Sequence, residues 1–213
     1  MIHVISNSLF SSKQFGFIKG RSTVLQLLHV LDSWVKNLEE GGQIDVIYMD
    51  FTKAFDKVPH CRLIINKLRS YGVNDQLILW IKNFLLHRSQ IVKINNEFSA
   101  WHSVVSGMSQ GNVLGPLLFV IFISDLPDTC SDFAEIFLFT DDAKLFKHVR
   151  SAVLQRSCDR LFQWSNQWLL KLNVDTCKVL SIGLRNTTDF TYYLEDINDR
   201  IELQRTSSMK DLG

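Results

Sequence analysis

Between Gly20-Arg21-Ser22 and Gly41-Gly42, the apolar residues Val24, Leu27, Leu28, Leu31, Trp34, Val35 and Leu38 recur at intervals of three and four. That spacing predicts an amphipathic helix with Ser22 as its N-cap and the glycine pair as its stop. Residues 43–51 then run apolar and β-branched through Ile44, Val46, Ile47 and Tyr48, as a buried strand does, and the run ends on Asp50. Two helical stretches, 60–71 and 74–87, follow on either side of Gly72. Residues 90–94 and 98–105 read as a hairpin around Asn95-Asn96-Glu97, and a polar loop at 106–111 leads into a helix that starts near Val113 or Pro116. Residues 135–140 and 143–149 are strand-like with only Asp141-Asp142 between them, which predicts a tight hairpin with two carboxylates at its tip. Residues 151–170 are helical by period, and the tail from Cys177 onward reads as three short strands. With no repeat, low-complexity tract or linker in the chain, the pattern predicts a single α/β domain.

Composition narrows the class without naming a function. At 46% hydrophobic and 11% aromatic residues over 213 positions, the chain is an ordinary folded protein, neither disordered nor collagen-like. The formal net charge is +1, so any nucleic-acid affinity has to come from a local basic surface. Cys61, Cys130, Cys158 and Cys177 are widely spaced with no C-x-x-C pair, which disfavours a zinc site and a disulfide framework. The longest apolar run, 113–123, is broken by Gly115 and Pro116 and falls short of the roughly 20 residues that span a bilayer. The N-terminus carries no basic and apolar leader, so no membrane association and an intracellular address, nuclear or cytoplasmic, are expected. The sequence sets no oligomeric state.

Candidate chemistry lies in the carboxylates. Asp50 ends one predicted strand, while Asp141 and Asp142 sit at a predicted hairpin tip, so neighbouring strands would bring all three to one sheet edge. Rigidly held carboxylates suit Mg²⁺ and phosphoryl transfer, and like charges that close repel unless a cation lies between them. From spacing alone, a plain D-D hairpin turn and a solvated Asp50 stand ahead of a metal site.

The residues around these carboxylates change that balance. Residues 48–60 (YMDFTKAFDKVPH), 106–119 (SGMSQGNVLGPLLF) and 139–142 (FTDD) closely resemble, in order and spacing, motifs A, B and C of reverse transcriptases of the non-LTR (LINE-type) retrotransposon branch. Residues 14–23 (QFGFIKGRST) and 210–213 (KDLG) look like further blocks of that family. The resemblance implies an α/β (α+β) right-hand polymerase palm with partial fingers, in which an antiparallel sheet carries the carboxylates and packs on helices. Residues 1–42 would be partial fingers, 43–183 the palm core with motifs A to D, and 184–213 the end of the palm. It implies an RNA-directed DNA polymerase whose partners are an RNA template, a DNA primer and dNTPs.

Site roles follow from the same resemblance. Asp50 and Asp141 would hold two Mg²⁺ ions, with Mn²⁺ as the alternative ion, and Asp142 would support them. Lys53 and the backbone of residues 52–55, including Ala54, would lie along the triphosphate, with Phe55 as the aromatic gate against a ribose 2′-OH. Gln110 and Gly111 would approach the nucleotide and template, and Arg21, with Lys19 nearby, would face phosphates. Read without the resemblance, Phe55 is equally a core aromatic, and Lys53 and Arg21 are solvated cations. His60 is assigned a structural hydrogen bond, and Trp34, Trp80, Trp164 and Trp168, on apolar helical faces, are assigned to the core.

Four positions depart from the family wording. Ser109 stands where Pro is usual, Asn112 where Ser is usual, Thr140 where Ala is usual and Thr176 where Lys is usual. Lys178 is the candidate replacement for that lysine, since alternate residues of a strand share a face. The chain shows no segment for a thumb, endonuclease or zinc knuckle, as expected of a fragment of a longer polyprotein. Besides an active polymerase palm, this admits a catalytically inactive relic with the fold and weak nucleic-acid binding, and a domesticated interaction module.

Overall fold

Strand β1 (Gln43–Met49) runs through the middle of a five-stranded sheet in the computed structural model, which describes residues 10–148, 151–183, 190–195 and 200–211. Antiparallel neighbours flank it: β7 (Asp142–His148), with Met49 opposite Ala143, and β8 (Lys178–Gly183), with Tyr48 opposite Lys178. β6 (Glu135–Phe139) closes one edge antiparallel to β7, and β11 (Gln204–Thr206) lies parallel to β8 at the other.

Successive side chains of a strand point to opposite faces, so β1 divides its apolar residues between two cores. Ile47 and Met49 join the larger core, with helices α3 (Asp75–Leu85), α4 (Leu114–Ile123), α5 (Leu126–Cys130) and α6 (Ser151–Trp168). Ile44 and Val46 pack on the other face against Phe15, Phe137, Phe146 and Val30 and Trp34 of α1 (Thr23–Glu39). Burial on both faces explains why β1 reads as a nearly continuous apolar run rather than an alternating one. α4 is apolar on every side and is enclosed accordingly, from Leu118 to Ile123.

α1 starts as predicted, with Ser22 Oγ accepting the Leu25 N–H at 3.2 Å. Only part of its apolar stripe is covered, and Val24, Leu28, Leu31 and Val35 stay exposed. Of the four tryptophans assigned to the core, Trp34, Trp164 and Trp168 are buried; Trp80 is 55% exposed and stacks on Phe84 along the outside of α3.

Several elements differ from the pattern-based expectation. A short helix α2 (Ala54–Lys57) follows β1, and the helix over 60–71 widens to π-helical geometry across Arg62–Leu68. The 90–105 hairpin consists of two short ladders, β2 (Ser89–Gln90) on β5 (His102–Ser103) and β3 (Lys93–Ile94) on β4 (Glu97–Phe98). The described part of the tail holds four strands rather than three, since β9 (Tyr193–Glu195) and β10 (Arg200–Glu202) pair with each other between β8 and β11. Residue 149 of the predicted 143–149 strand and residues 212–213 of the last block lie outside the described residues.

One buried charge stitches the tail to the sheet. Asp45 is 2% exposed and accepts hydrogen bonds from Tyr192 Oη at 2.7 Å, Ser181 Oγ at 2.5 Å and Gln43 Nε2 at 3.1 Å. Donors from two further segments thus hold β8 and residues 190–195 against β1.

Candidate active site

The hairpin between β6 and β7 is one residue out of step with the predicted tip. Phe139 pairs with Asp142, so Thr140 and Asp141 form the turn and Asp142 is the first residue of β7. Thr140 has φ 61 while Asp141 does not share the positive φ, the pattern of a II′-type turn with its left-handed residue first. Since Met49 faces Ala143, Asp50 emerges from β1 beside this turn. The three carboxylates sense one another. Burial first, and then the Asp50 charge, raises the Asp141 carboxyl above the usual carboxylate range against the pull of a backbone hydrogen bond. Asp142 is pushed up to about 6 by burial and then by Asp141, Asp50 and Asp211, with Lys144 opposing.

A loop from the far side of β1 holds Asp50. The Asn173 N–H donates to the Asp50 carbonyl at 2.8 Å, and the Thr52 N–H donates to the Lys171 carbonyl at 2.8 Å. On the side chain, Asp50 Oδ2 accepts from Thr176 Oγ1 at 2.7 Å and from Asn173 Nδ2 at 3.4 Å. The Asp50 N–H points at buried Cys177 Sγ at 3.5 Å. Thr176, singled out as a departure from lysine, therefore touches a catalytic candidate directly. A cavity of about 90 Å³ beside it is lined by Asp50, Asp142, Thr176, Tyr48, Lys144 and Asp211, the last two forming an ion pair.

Motifs A and B fold against each other as a second cluster. The Met108 N–H donates to the Phe55 carbonyl at 2.7 Å, the Gly107 N–H to the Val58 carbonyl at 2.9 Å, and Gln110 Nε2 to Asp56 Oδ1 at 3.2 Å. Gly107, at φ +90, has no room for a side chain, since a Cβ would lie 2.8 Å from the Asp56 carbonyl oxygen. Buried His60 meets the Gly107 carbonyl through Nε2 at 2.7 Å, the structural bond assigned to it. Asn112 Oδ1 accepts the Gly115 N–H at 2.8 Å and ties down the start of α4. Lys53 is exposed in a left-handed conformation, Ala54 is buried, and Phe55 stacks on Phe119 at 4.3 Å with Phe17 edge-on at 6.2 Å. Lys53, Lys57, Arg88, Asp56 and Gln110 line a groove of about 710 Å³, and Gly111 is exposed at its end of the loop.

Two predicted site residues are not brought to either cluster. Arg21 Nη1 donates to the carbonyls of Ser11 and Ser12 at 3.0 Å each, and to that of Gln14. Lys178 Nζ donates to Gln204 Oε1 at 2.6 Å, across to β11. Conversely, sequence reasoning passed over Asn173, Cys177 and Gln14. Only Gln14 carried a signal, its place in the QFGF block.

Among the described residues, no three His, Cys, Asp or Glu side chains are gathered into a ready-made metal cage. The donor set still fits a hard divalent cation, because mutually repelling carboxylates gain from one and Mg²⁺ binds through one or two carboxylates plus water and phosphate.

Comparison with known proteins agrees with this geometry. A family model described as reverse transcriptase (RNA-dependent DNA polymerase) matches residues 1–213. The RNA-directed DNA polymerase from mobile element jockey of Drosophila melanogaster is 30% identical over 183 residues, covering 81% of this chain and 20% of that protein. The probable RNA-directed DNA polymerase from transposon X-element of the same species is 27% identical over 192 residues, covering 86% and 21%. This chain thus spans about a fifth of the length of the curated relatives it matches. Among solved structures, telomerase from Candida tropicalis in complex with a TWJ fragment of telomeric RNA superposes with a TM-score of 0.65 at 10% identity, covering 88% of this chain and 33% of that one. The apo form truncated from its C-terminal domain gives 0.61 at 12% identity, covering 89% and 39%. At such identities the likeness concerns the fold, a polymerase palm. With sequence, fold and carboxylate placement in agreement, the chain belongs to the reverse transcriptase family, as a domain of the non-LTR (LINE-type) retrotransposon kind.

Proposed function

We propose that this chain is the fingers-and-palm portion of an RNA-directed DNA polymerase, with fingers residues up to 42, a palm core over 43–183 and the palm's end over 184–213. Its substrates are dNTPs, its partners a primer and an RNA template. The observation that carries this reading is the meeting of Asp50 with the Thr140–Asp141 turn and Asp142 at one sheet edge, where burial and mutual repulsion raise two of the carboxyls. Two Mg²⁺ ions, or Mn²⁺, held there by Asp50 and Asp141 would supply activation of the primer 3′-OH and neutralisation of the departing pyrophosphate.

The chain's own residues do the positioning. Thr176 and Asn173 hold Asp50 through Oδ2. Lys53 offers a cation and the 52–55 stretch its amides beyond Thr52, whose N–H is taken by the Lys171 carbonyl, to the triphosphate, beside the groove that Gln110 closes against Asp56. Phe55, fixed by its stack on Phe119, gives the sugar a rigid wall where a 2′-OH would otherwise fit. Lys178 would have to leave Gln204 to reach a phosphate, and Arg21 would have to leave the 11–14 carbonyls. We place this activity in the nucleus or cytoplasm; no helix among the described residues is long and apolar enough to cross a membrane.

Primer extension on a primed RNA template with dNTPs and Mg²⁺ tests the reading. Extension by the wild type that disappears in Asp141→Asn is expected. Extension that survives Asp141→Asn, or no extension by either protein, would overturn it for this chain.

A further inference from the structure

Gln14 is wholly buried and takes no part in the carboxylate site. Its side-chain amide nevertheless spans the backbone of the catalytic turn. The Thr140 N–H donates to Gln14 Oε1 at 2.9 Å, and Gln14 Nε2 donates to the Thr140 carbonyl at 3.0 Å. The Gly16 N–H donates to the same Oε1 at 2.8 Å. The main chain follows suit, with the Phe15 N–H on the Leu138 carbonyl at 2.8 Å and the Leu138 N–H on the Lys13 carbonyl at 2.9 Å. Contact is close, since a Cβ on Gly16 would fall 2.3 Å from Thr140 Oγ1 and 2.4 Å from the Thr140 nitrogen. Arg21 braces the segment from behind by holding the carbonyls of Ser11, Ser12 and Gln14.

The turn needs such a brace. Thr140 has φ 61, and a β-branched residue there is a genuine outlier that persists only where its surroundings over-determine it. Glycine is the residue favoured at that turn position. Asp141 is the next residue, so whatever fixes the Thr140 peptide fixes the direction in which the Asp141 carboxylate leaves the hairpin.

We propose that Gln14 is a positioning residue for Asp141, clamping both backbone groups of Thr140 so that the turn presents the carboxylate to a divalent cation. The inference rests on the metal-site reading above. Groups that orient a metal ligand without touching the metal typically cost about 10–100-fold in metal affinity or activity when removed.

The test is made on the full chain with Gln14→Met, which keeps the bulk and loses the amide, and with Gln14→Glu, which keeps the acceptor and loses the donor should the first variant fail to fold. Mn²⁺ affinity is read by titration, exchange at the Thr140 and Gly16 amides by NMR, and single-nucleotide extension as separate kcat and KM. We expect faster exchange at both amides in Gln14→Met, and in either variant Mn²⁺ binding weakened by about 10–100-fold and kcat reduced with the dNTP KM nearly unchanged. Adding Thr140→Gly, which takes the positive φ without strain, should restore much of the Mn²⁺ affinity. A folded variant with a lower Tm but wild-type Mn²⁺ affinity would show a merely structural role and overturn this inference alone. Mn²⁺ binding by the wild type that is absent, or indifferent to Asp141→Asn, would overturn the metal-site reading and this inference with it.

Discussion

Replacing Asp142 by Asn removes one of three crowded carboxylates, and in the metal-free chain it should stabilise the protein. Burial and the charges of Asp141, Asp50 and Asp211 push the Asp142 carboxyl up from its usual 3.8 to about 6. A carboxyl with the higher pKa in the folded state keeps a proton there that the unfolded chain loses across this window. Stability therefore falls as pH rises from about 4 to about 6, and the full penalty is present above that. Sealed from water, such a rise would be worth about 3 kcal/mol. The Asp142 carboxyl is packed on one side only and the residue as a whole is exposed, so solvent screening brings the figure to about 1 kcal/mol. For a chain of this size that is roughly 2–4 °C in Tm. Thermal unfolding in EDTA at low salt should show Asp142→Asn melting higher than wild type by that margin near neutral pH, with the curves converging below about pH 3, where Asp142 is protonated in both states. Mg²⁺ should narrow the gap, because a cation that binds the folded wild type more tightly than the variant, which lacks the supporting carboxylate, stabilises it more. Equal melting near neutral pH, or a gap that persists unchanged at about pH 3, would refute repulsion at this edge.

Two further substitutions probe the scaffold. Tyr192→Phe deletes the 2.7 Å bond to buried Asp45 and should lower stability in urea unfolding by about 1.5–3 kcal/mol, as for a bond to a charged group; a negligible loss would mean that Ser181 and Gln43 suffice. Lys67→Met replaces a buried ammonium that pairs with Asp125 and lies 3.8 Å over the Trp168 ring, and whose pKa burial holds below the usual lysine value. Asp125 remains partly solvated and bonded to Trp164 Nε1 at 3.0 Å, so the same assay should register a change within about 1 kcal/mol, and a loss above about 3 would show that the ion pair is needed.

β1 was readable because burial on both faces writes a continuous apolar run, and the partnership of Asp50 with the D-D hairpin was readable because family motifs surround them. The position of the tip was not. It depends on Thr140 entering the left-handed region, which its own β-branched side chain disfavours, and the partner that holds it there lies 126 residues away. Arg21 illustrates a different limit, since a cation near a motif suggests phosphate whereas its guanidinium satisfies the carbonyls of a turn. The exposure of Trp80 escaped because helical period marks a face without saying whether anything covers it. Likewise, the substitution at 176 could be seen as a lost ammonium, but only the folded loop shows that the hydroxyl meets Asp50.

The two halves of the site are held from different directions, and the sheet register is what makes them meet. Asp50 is braced by the 171–177 loop beyond β1, and Asp141 by the 13–16 segment that runs beside β6. Among the described residues no hydrogen bond joins the two braces, and their relation is set by the β1–β7 pairing that puts Met49 opposite Ala143. A slip of one residue there would swap Ile47 and Met49 with Ile44 and Val46 between the two cores and carry Asp45 away from its donors, a far larger loss than carboxylate repulsion could offset. Repulsion among Asp50, Asp141 and Asp142 can therefore act on the turn and on the Asp50 loop, but not on the register. That is why the polar clamps sit at those two points, where the buried apolar surface ends and the site begins.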